Sequence, residues 1–247
     1  MTAFAAQAAV PRDIGLWEWF SREQTWRSED GILASLADTL TLCASVMIVS
    51  VLIAVPLAAV LAHHRRGELA ATWTLNVGRA IPTFAIAGLL VPISLTQGYG
   101  FEPWPIFIAL TMLALPPIFL TSYTAVRQVD KGAVDAARAM GFTERDVLVR
   151  VELALAVGLI LGGIRVAAVA VVATEPLRAF LGGNGLGRYV RDGLGQNNDS
   201  LLIGGAILVV ALATVTGMAF GALERVALPE GVRRLRQVQN KRTGDAR

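Results

Sequence analysis

The stretch from Thr39 to Ala62 reads TLTLCASVMIVSVLIAVPLAAVLA, with no charged residue between Asp38 and His63. A bilayer's hydrocarbon core is about 30 Å thick and takes roughly 20 apolar helical residues to cross, so this run is long enough to span it. Uncharged gaps of similar length lie between Arg79 and Glu102, Glu102 and Arg127, and Asp199 and Glu224; a fifth run, Leu153 to Thr174, is interrupted only by Arg165. The pattern predicts an all-α membrane protein with spans at about 39–62, 80–101, 104–126, 153–175 and 200–223. Composition agrees: of 247 residues 54% are hydrophobic and 17% charged, against about 25% charged in an ordinary soluble domain. Disorder is excluded and a water-soluble globule is disfavoured. The chain divides into a segment 1–34, a membrane domain 35–228 with a long polar connection at 127–152, and a basic tail 229–247.

Basic residues set the expected orientation. Arg65, Arg66 and Arg79 follow the first span, and Arg127, Lys131, Arg138, Arg145 and Arg150 fill the connection between the third and fourth. The tail adds Arg225, Arg233, Arg234, Arg236, Lys241, Arg242 and Arg247, while the connection from Gly98 to Trp104 has neither Lys nor Arg. Short loops rich in Lys and Arg resist translocation, which places the N-terminus outside and the C-terminus inside. Arg178, Arg188 and Arg191 sit against this trend on the expected outer side. Trp17, Trp19, Phe20 and Trp26 read either as a short interfacial helix on the outer leaflet or as packing against the bundle, and Tyr99, Phe101 and Trp104 as an aromatic belt. The tail reads as a solvated segment or as a contact with anionic membrane lipid. Residues 1–34 lack the basic start and short apolar core of a signal peptide, so the first span is expected in the mature protein.

Several chemistries are disfavoured. Neither Lys131 nor Lys241 follows the glycine spacing of a phosphate-cradling P-loop. The two histidines, His63 and His64, are adjacent at the end of the first span and read as interfacial polar residues, which leaves no spaced zinc site. Cys43 lies within a span and reads as a small buried side chain. Gly182-Gly183-Asn184-Gly185-Leu186-Gly187 follows a span rather than a strand, so it is read as a tight turn and not as a dinucleotide fingerprint.

The connection 127–152 carries the most information. Val134-Asp135-Ala136-Ala137-Arg138-Ala139-Met140 predicts a helix of small residues, with Gly141 placed for a left-handed C-terminal cap. Thr143, three residues before Asp146, predicts the N-cap of a second helix running through Arg150. Side chains as small as Ala136, Ala137 and Ala139 let another protein's groove close around the first helix, although such a helix is also an ordinary loop helix.

Asp135-Ala136-Ala137, Gly141 and Val151-Glu152-Leu153 resemble the EAA loop of ABC importer permeases of the MetI-like type. Asp135 stands where that pattern has Glu, and Ala154 where it has Pro. The resemblance covers about Gly31 to Pro229. Ala80-Ile81-Pro82-Thr83-Phe84-Ala85, Thr121-Ser122-Tyr123-Thr124-Ala125-Val126-Arg127, Gly162-Gly163-Ile164-Arg165 and Gly185-Leu186-Gly187 are similar to the branch importing glycine betaine, choline and carnitine. It implies a MetI-like five-helix permease, multi-pass in a bacterial cytoplasmic (inner) membrane. The implied partners are a second permease subunit, identical or paralogous, an ABC ATPase dimer, and an extracytoplasmic substrate-binding protein. No nucleic acid is implied, and ATP and magnesium would sit on the ATPase, so this chain is not expected to be an enzyme or to hold a cofactor or metal. The helix from Val134 to Gly141 would be the coupling helix: Asp135 a polar contact at its start, Ala136 and Ala137 the close contact, Arg138 a rim charge and Gly141 the turn. Methionine-type amino-acid import, or an ATPase-independent channel or carrier, stands as the alternative.

The translocation path is less defined. Pro56, Pro82, Pro92, Pro116 and Pro117 interrupt or flank the spans and suit either a gate or plain packing. Glu175 and Arg165, with Tyr123, are the candidate path residues. Glu175 reads as a wetted interfacial carboxylate or as an attractor of a cationic substrate, and Arg165 as a snorkelling or carbonyl-bonded cation.

Overall fold

A computed structural model describes residues 15–66, 82–99 and 103–227. All regular elements among them are helical. They are α1 (Leu16–Ser21), α2 (Glu23–Arg27), α3 (Ile32–His63), α4 (Thr83–Thr96), α5 (Trp104–Arg127), α6 (Lys131–Ala139), α7 (Glu144–Asp146), α8 (Leu153–Thr174), α9 (Gly187–Gln196) and α10 (Asp199–Ala227). A π-helical stretch, Val147–Glu152, leads into α8, and a 3-10 segment, Glu175–Leu181, follows it.

Four helical stretches are long and apolar enough to cross a membrane: Glu23–His63, which bends at 28–31, Trp104–Arg127, Glu144–Leu181 and Asp199–Ala227. α4 differs from the span expected at 80–101. It has 14 residues, which rise about 21 Å, short of the roughly 30 Å hydrocarbon core. Pro82, lacking an N–H, is extended and caps its start. Gly98, at φ +80, ends it with a left-handed turn. Residues 67–81 and 100–102, including Arg79 and Phe101, lie outside the described residues, as do 1–14 and the tail from 228.

The chain forms two compact units. Among the described residues the first comprises 15–48, 82–99, 103–113 and 169–215, and the second 49–66, 114–168 and 216–227. In the first, Trp19, Ile32, Leu186, Tyr189 and Leu201 form a core, with Phe20, Trp26 and Leu36 against it. The Trp19 indole is 1% exposed and meets Phe20 and Tyr189 edge to face at 4.8 and 5.5 Å. Gly204 makes room for it, since a Cβ there would fall 2.4 Å from the ring. Trp19 is therefore bundle packing, whereas Trp17 is exposed. Large-to-small substitution of a buried aromatic costs about 3–5 kcal/mol, so Trp19→Ala should lower the apparent melting midpoint in detergent by roughly 6–20 °C. An unchanged midpoint would contradict this packing.

In the second unit α5 and α8 approach closely where Gly163 faces Thr121: a Cβ on Gly163 would lie 1.7 Å from the Thr121 hydroxyl. Val134 and Ala137 of α6 pack on Val147 of the π-helical stretch, joined by Val129 and Val151. This small cluster fixes the loop helix on the start of the α8 run.

Candidate functional site

The connection after α5 folds into a helix closed at both ends. It starts at Lys131, three residues before the expected Val134, because the Asp130 side chain accepts the Ala133 N–H at 3.2 Å and satisfies one of the free amides of the first turn. Its other end is a paired turn: Gly141 N–H donates to Arg138 O at 3.0 Å and Phe142 N–H to Ala137 O at 3.2 Å. Gly141 has φ +86, the left-handed conformation the turn needs. Thr143 then caps α7, accepting the Asp146 N–H at 3.2 Å.

The second expected helix is not separate. It passes through the π-helical stretch, where Leu153 N–H donates to Leu148 O, directly into α8. Ala154, in place of a proline, keeps the N–H that lets this run continue.

The faces of α6 are unequal. Val134 is 8% and Ala137 2% exposed, so both side chains are spent on the chain's own core. Lys131, Asp135, Ala136, Ala139, Met140 and Phe142 are exposed. Arg138 lies between these faces and is bidentate on Glu144, its Nε and Nη2 each 2.9 Å from a carboxylate oxygen, and its Nη1 is 3.5 Å from Asp135. The Arg138 bond holds the Glu144 carboxyl below the usual carboxylate range. Glu144 is thus ionised throughout the neutral range, and the pair's contribution is lost only as pH falls through that lowered value.

His63, read from sequence as interfacial, instead has a side chain 5% exposed and wedged between carboxylates. Its Nδ1 lies 2.7 Å from Glu152 Oε2 and its Nε2 3.1 Å from Glu144 Oε2. No local pattern signals a pairing across 89 positions; a titratable residue at a span end near an acidic motif is the only hint the chain offers.

Glu175 is fully buried in the first unit and is not the wetted carboxylate of one sequence reading. The Thr39 hydroxyl donates to it at 3.1 Å and Arg178 Nη1 lies 3.4 Å away. Thr39 Oγ1 also accepts the Leu186 N–H at 3.0 Å. Gly185, at φ +100, permits this closure, because a Cβ there would meet Glu175 Oε1 at 2.7 Å. The glycine-rich segment is thus a turn sewn onto α3 and the end of the α8 run. Arg188 and Arg191 are likewise engaged: Arg188 with Asp30 at 3.3 Å, and Arg191 with Asp192 at 2.8 Å and the Ala179 carbonyl at 2.9 Å.

Tyr123 and Arg165 belong to the second unit. Tyr123 is buried and stacked on Phe119 at 6.3 Å, and its hydroxyl has no hydrogen-bond partner among the described residues. The Arg165 guanidinium lies over Gly221, 3.1 Å from where a Cβ would stand.

Apolar helices long enough to span a bilayer, joined by a polar connection that is itself a capped helix, define a helical integral membrane protein. Residues 40–227 match the family described as the binding-protein-dependent transport system inner membrane component, and the chain belongs to that family. It is 32% identical over 215 residues to the carnitine transport permease protein OpuCB of Listeria monocytogenes, covering 86% of this chain and 96% of that protein. To the choline transport system permease protein OpuBB of Bacillus subtilis it is 30% identical over 207 residues, covering 84% of this chain and 93% of the relative. Among solved structures it is similar to a chain of the inward-facing MetNI methionine ABC transporter, with TM-score 0.68 and 20% identity over 80% of this chain and 96% of that one. At that identity the likeness concerns the fold.

Proposed function

We propose that this membrane transport component is the permease of an ATP-driven importer for quaternary-ammonium osmoprotectants, driven through α6. The observation that carries the reading is the form of that helix: capped at both ends, seated on its own chain through Val134 and Ala137, and presenting a small, partly apolar face. The substrate class follows from the choline and carnitine permeases it resembles over most of its length. In this reading an ABC ATPase dimer, holding ATP and magnesium, grips Asp135, Ala136, Ala139, Met140 and the Gly141 turn. Ala137 supports the helix from behind rather than touching the ATPase, and Arg138 braces it to Glu144. A second permease subunit and an extracytoplasmic binding protein complete the importer. α6 faces the cytosol, the N-terminus lies outside and the C-terminus inside. Arg178, Arg188 and Arg191, which run against the Lys/Arg bias, are held in the fold by carboxylates and a carbonyl.

Uptake of radiolabelled choline, carnitine, glycine betaine and methionine into proteoliposomes holding the purified complex tests the reading. ATP-dependent uptake of the quaternary amines is expected. Uptake without ATP, or of methionine alone, would overturn it. The two alanines separate cleanly. Ala136→Trp should reduce co-purification of the ATPase at least tenfold while leaving the permease folded. Ala137→Trp should lower the melting midpoint of the permease alone, and the reverse pattern would reassign the docking face.

A further inference from the structure

We propose that His63 is a positioning residue that links α3 to the loop helix, and that it holds this link fully only when its ring is protonated. The inference rests on reading α6 as the helix an ATPase drives. The path is continuous: His63 of α3 meets Glu144, and Glu144 takes both the Nε and Nη2 of Arg138 on α6. A second arm runs from His63 to Glu152, where the π-helical stretch enters α8. A displacement of α6 therefore has a polar route into α3 and α8 besides the small Val134–Ala137–Val147 contact.

The chemistry of the ring makes this route conditional. Ionised carboxylates only accept hydrogen bonds, and a neutral imidazole carries a single N–H, whereas the imidazolium carries two. Both ring nitrogens of His63 lie within 3.1 Å of a carboxylate oxygen. With a neutral ring, one nitrogen lone pair faces a carboxylate and that arm opens. The His63 and Glu152 side chains are 5% and 9% exposed, surroundings in which an unmet polar contact is felt strongly. His64 packs edge-on at 5.1 Å. Across a cavity of about 320 Å3 stand Arg65, Arg127, Lys131, Arg138 and Asp135, the other charged groups that line the same opening as the ring. The number of these two contacts that the ring can satisfy as a donor therefore depends on its protonation.

The test uses the complete importer in proteoliposomes, with choline as probe and the pH varied on the ATPase side from 6 to 8.5. The readout is choline imported per ATP hydrolysed. The wild-type ratio should fall at least threefold as pH rises. His63→Gln, which cannot titrate, should show a low ratio that is flat with pH, with the ATPase still bound and hydrolysis retained. Glu144→Gln, at a largely exposed position, should lower the ratio across the range without moving the melting midpoint. A pH-flat wild type, a His63→Gln profile like wild type, or full coupling in Glu144→Gln would overturn the proposal. Failure of the wild-type chain to assemble with an ATPase would instead refute the reading of α6, so the two failures are distinct.

Discussion

Gly141→Val should abolish most ATP-driven uptake while Gly141→Asn retains it. At φ +86 the backbone of Gly141 lies in the left-handed region, and a Cβ built there meets nothing within 4 Å. The penalty is thus purely conformational: about 1–2 kcal/mol for an ordinary L-residue, with a β-branched side chain worse than Asn, which tolerates this region. That strain falls on the two hydrogen bonds, to Arg138 O and Ala137 O, that close the helix. One to two kcal/mol changes a two-state population by roughly 5–30-fold, so the ratio of capped to uncapped α6 falls by that factor. Radiolabelled choline uptake at least tenfold below wild type, with permease and ATPase present in normal amounts, is the expected result. Normal uptake by Gly141→Val would show that the cap geometry does not matter to transport.

Glu175→Leu should be among the most destabilising single changes in the first unit, comparable to Trp19→Ala. It leaves the Arg178 guanidinium, 14% exposed, without its carboxylate and the Thr39 hydroxyl without its acceptor. Removing one partner of a buried pair costs about 3–5 kcal/mol, mostly from the charge left behind. Glu175→Gln keeps the shape and an acceptor for Thr39 and should be intermediate. Because Arg178 and Thr39 already occupy the carboxylate, the account assigns Glu175 to the closure of the Gly185 turn rather than to a substrate cation. The KM for choline in Glu175→Gln should therefore stay within about twofold of wild type while the melting midpoint falls. A tenfold rise in KM with an unchanged midpoint would return Glu175 to the translocation path.

Much of this was legible in the chain because it depends on local rules. Gaps between charges mark the long helices, since a charge within hydrocarbon is costly wherever it falls. The Gly141 turn and the Thr143 cap were readable because each is closed by hydrogen bonds over a few residues. Other features depend on contacts that no window contains. The start of α6 moved to Lys131 because the Asp130 side chain caps it. Ala137 turned inward because Val147 lies behind it, and alanine's small size suits a buried contact as well as a docked one. The shortness of α4 follows from Pro82 and Gly98, both visible in the sequence, yet hydropathy alone runs past them. His63 and Glu152 are brought together only by the packing of α3 on the start of the α8 run, and Glu175 met Thr39 across 136 positions.

Proximity cross-linking of α6 to the ATPase tests the central claim most directly. Cys43, the sole native cysteine, is buried, so an introduced thiol is the reactive one. In the assembled, ATP-hydrolysing importer, Ala136→Cys labelled with a short maleimide–diazirine reagent should photocross-link to the ATPase, whereas Leu194→Cys, 53% exposed on α9, should not. A cross-link from Leu194→Cys, or none from Ala136→Cys in a complex that still imports choline, would contradict the account.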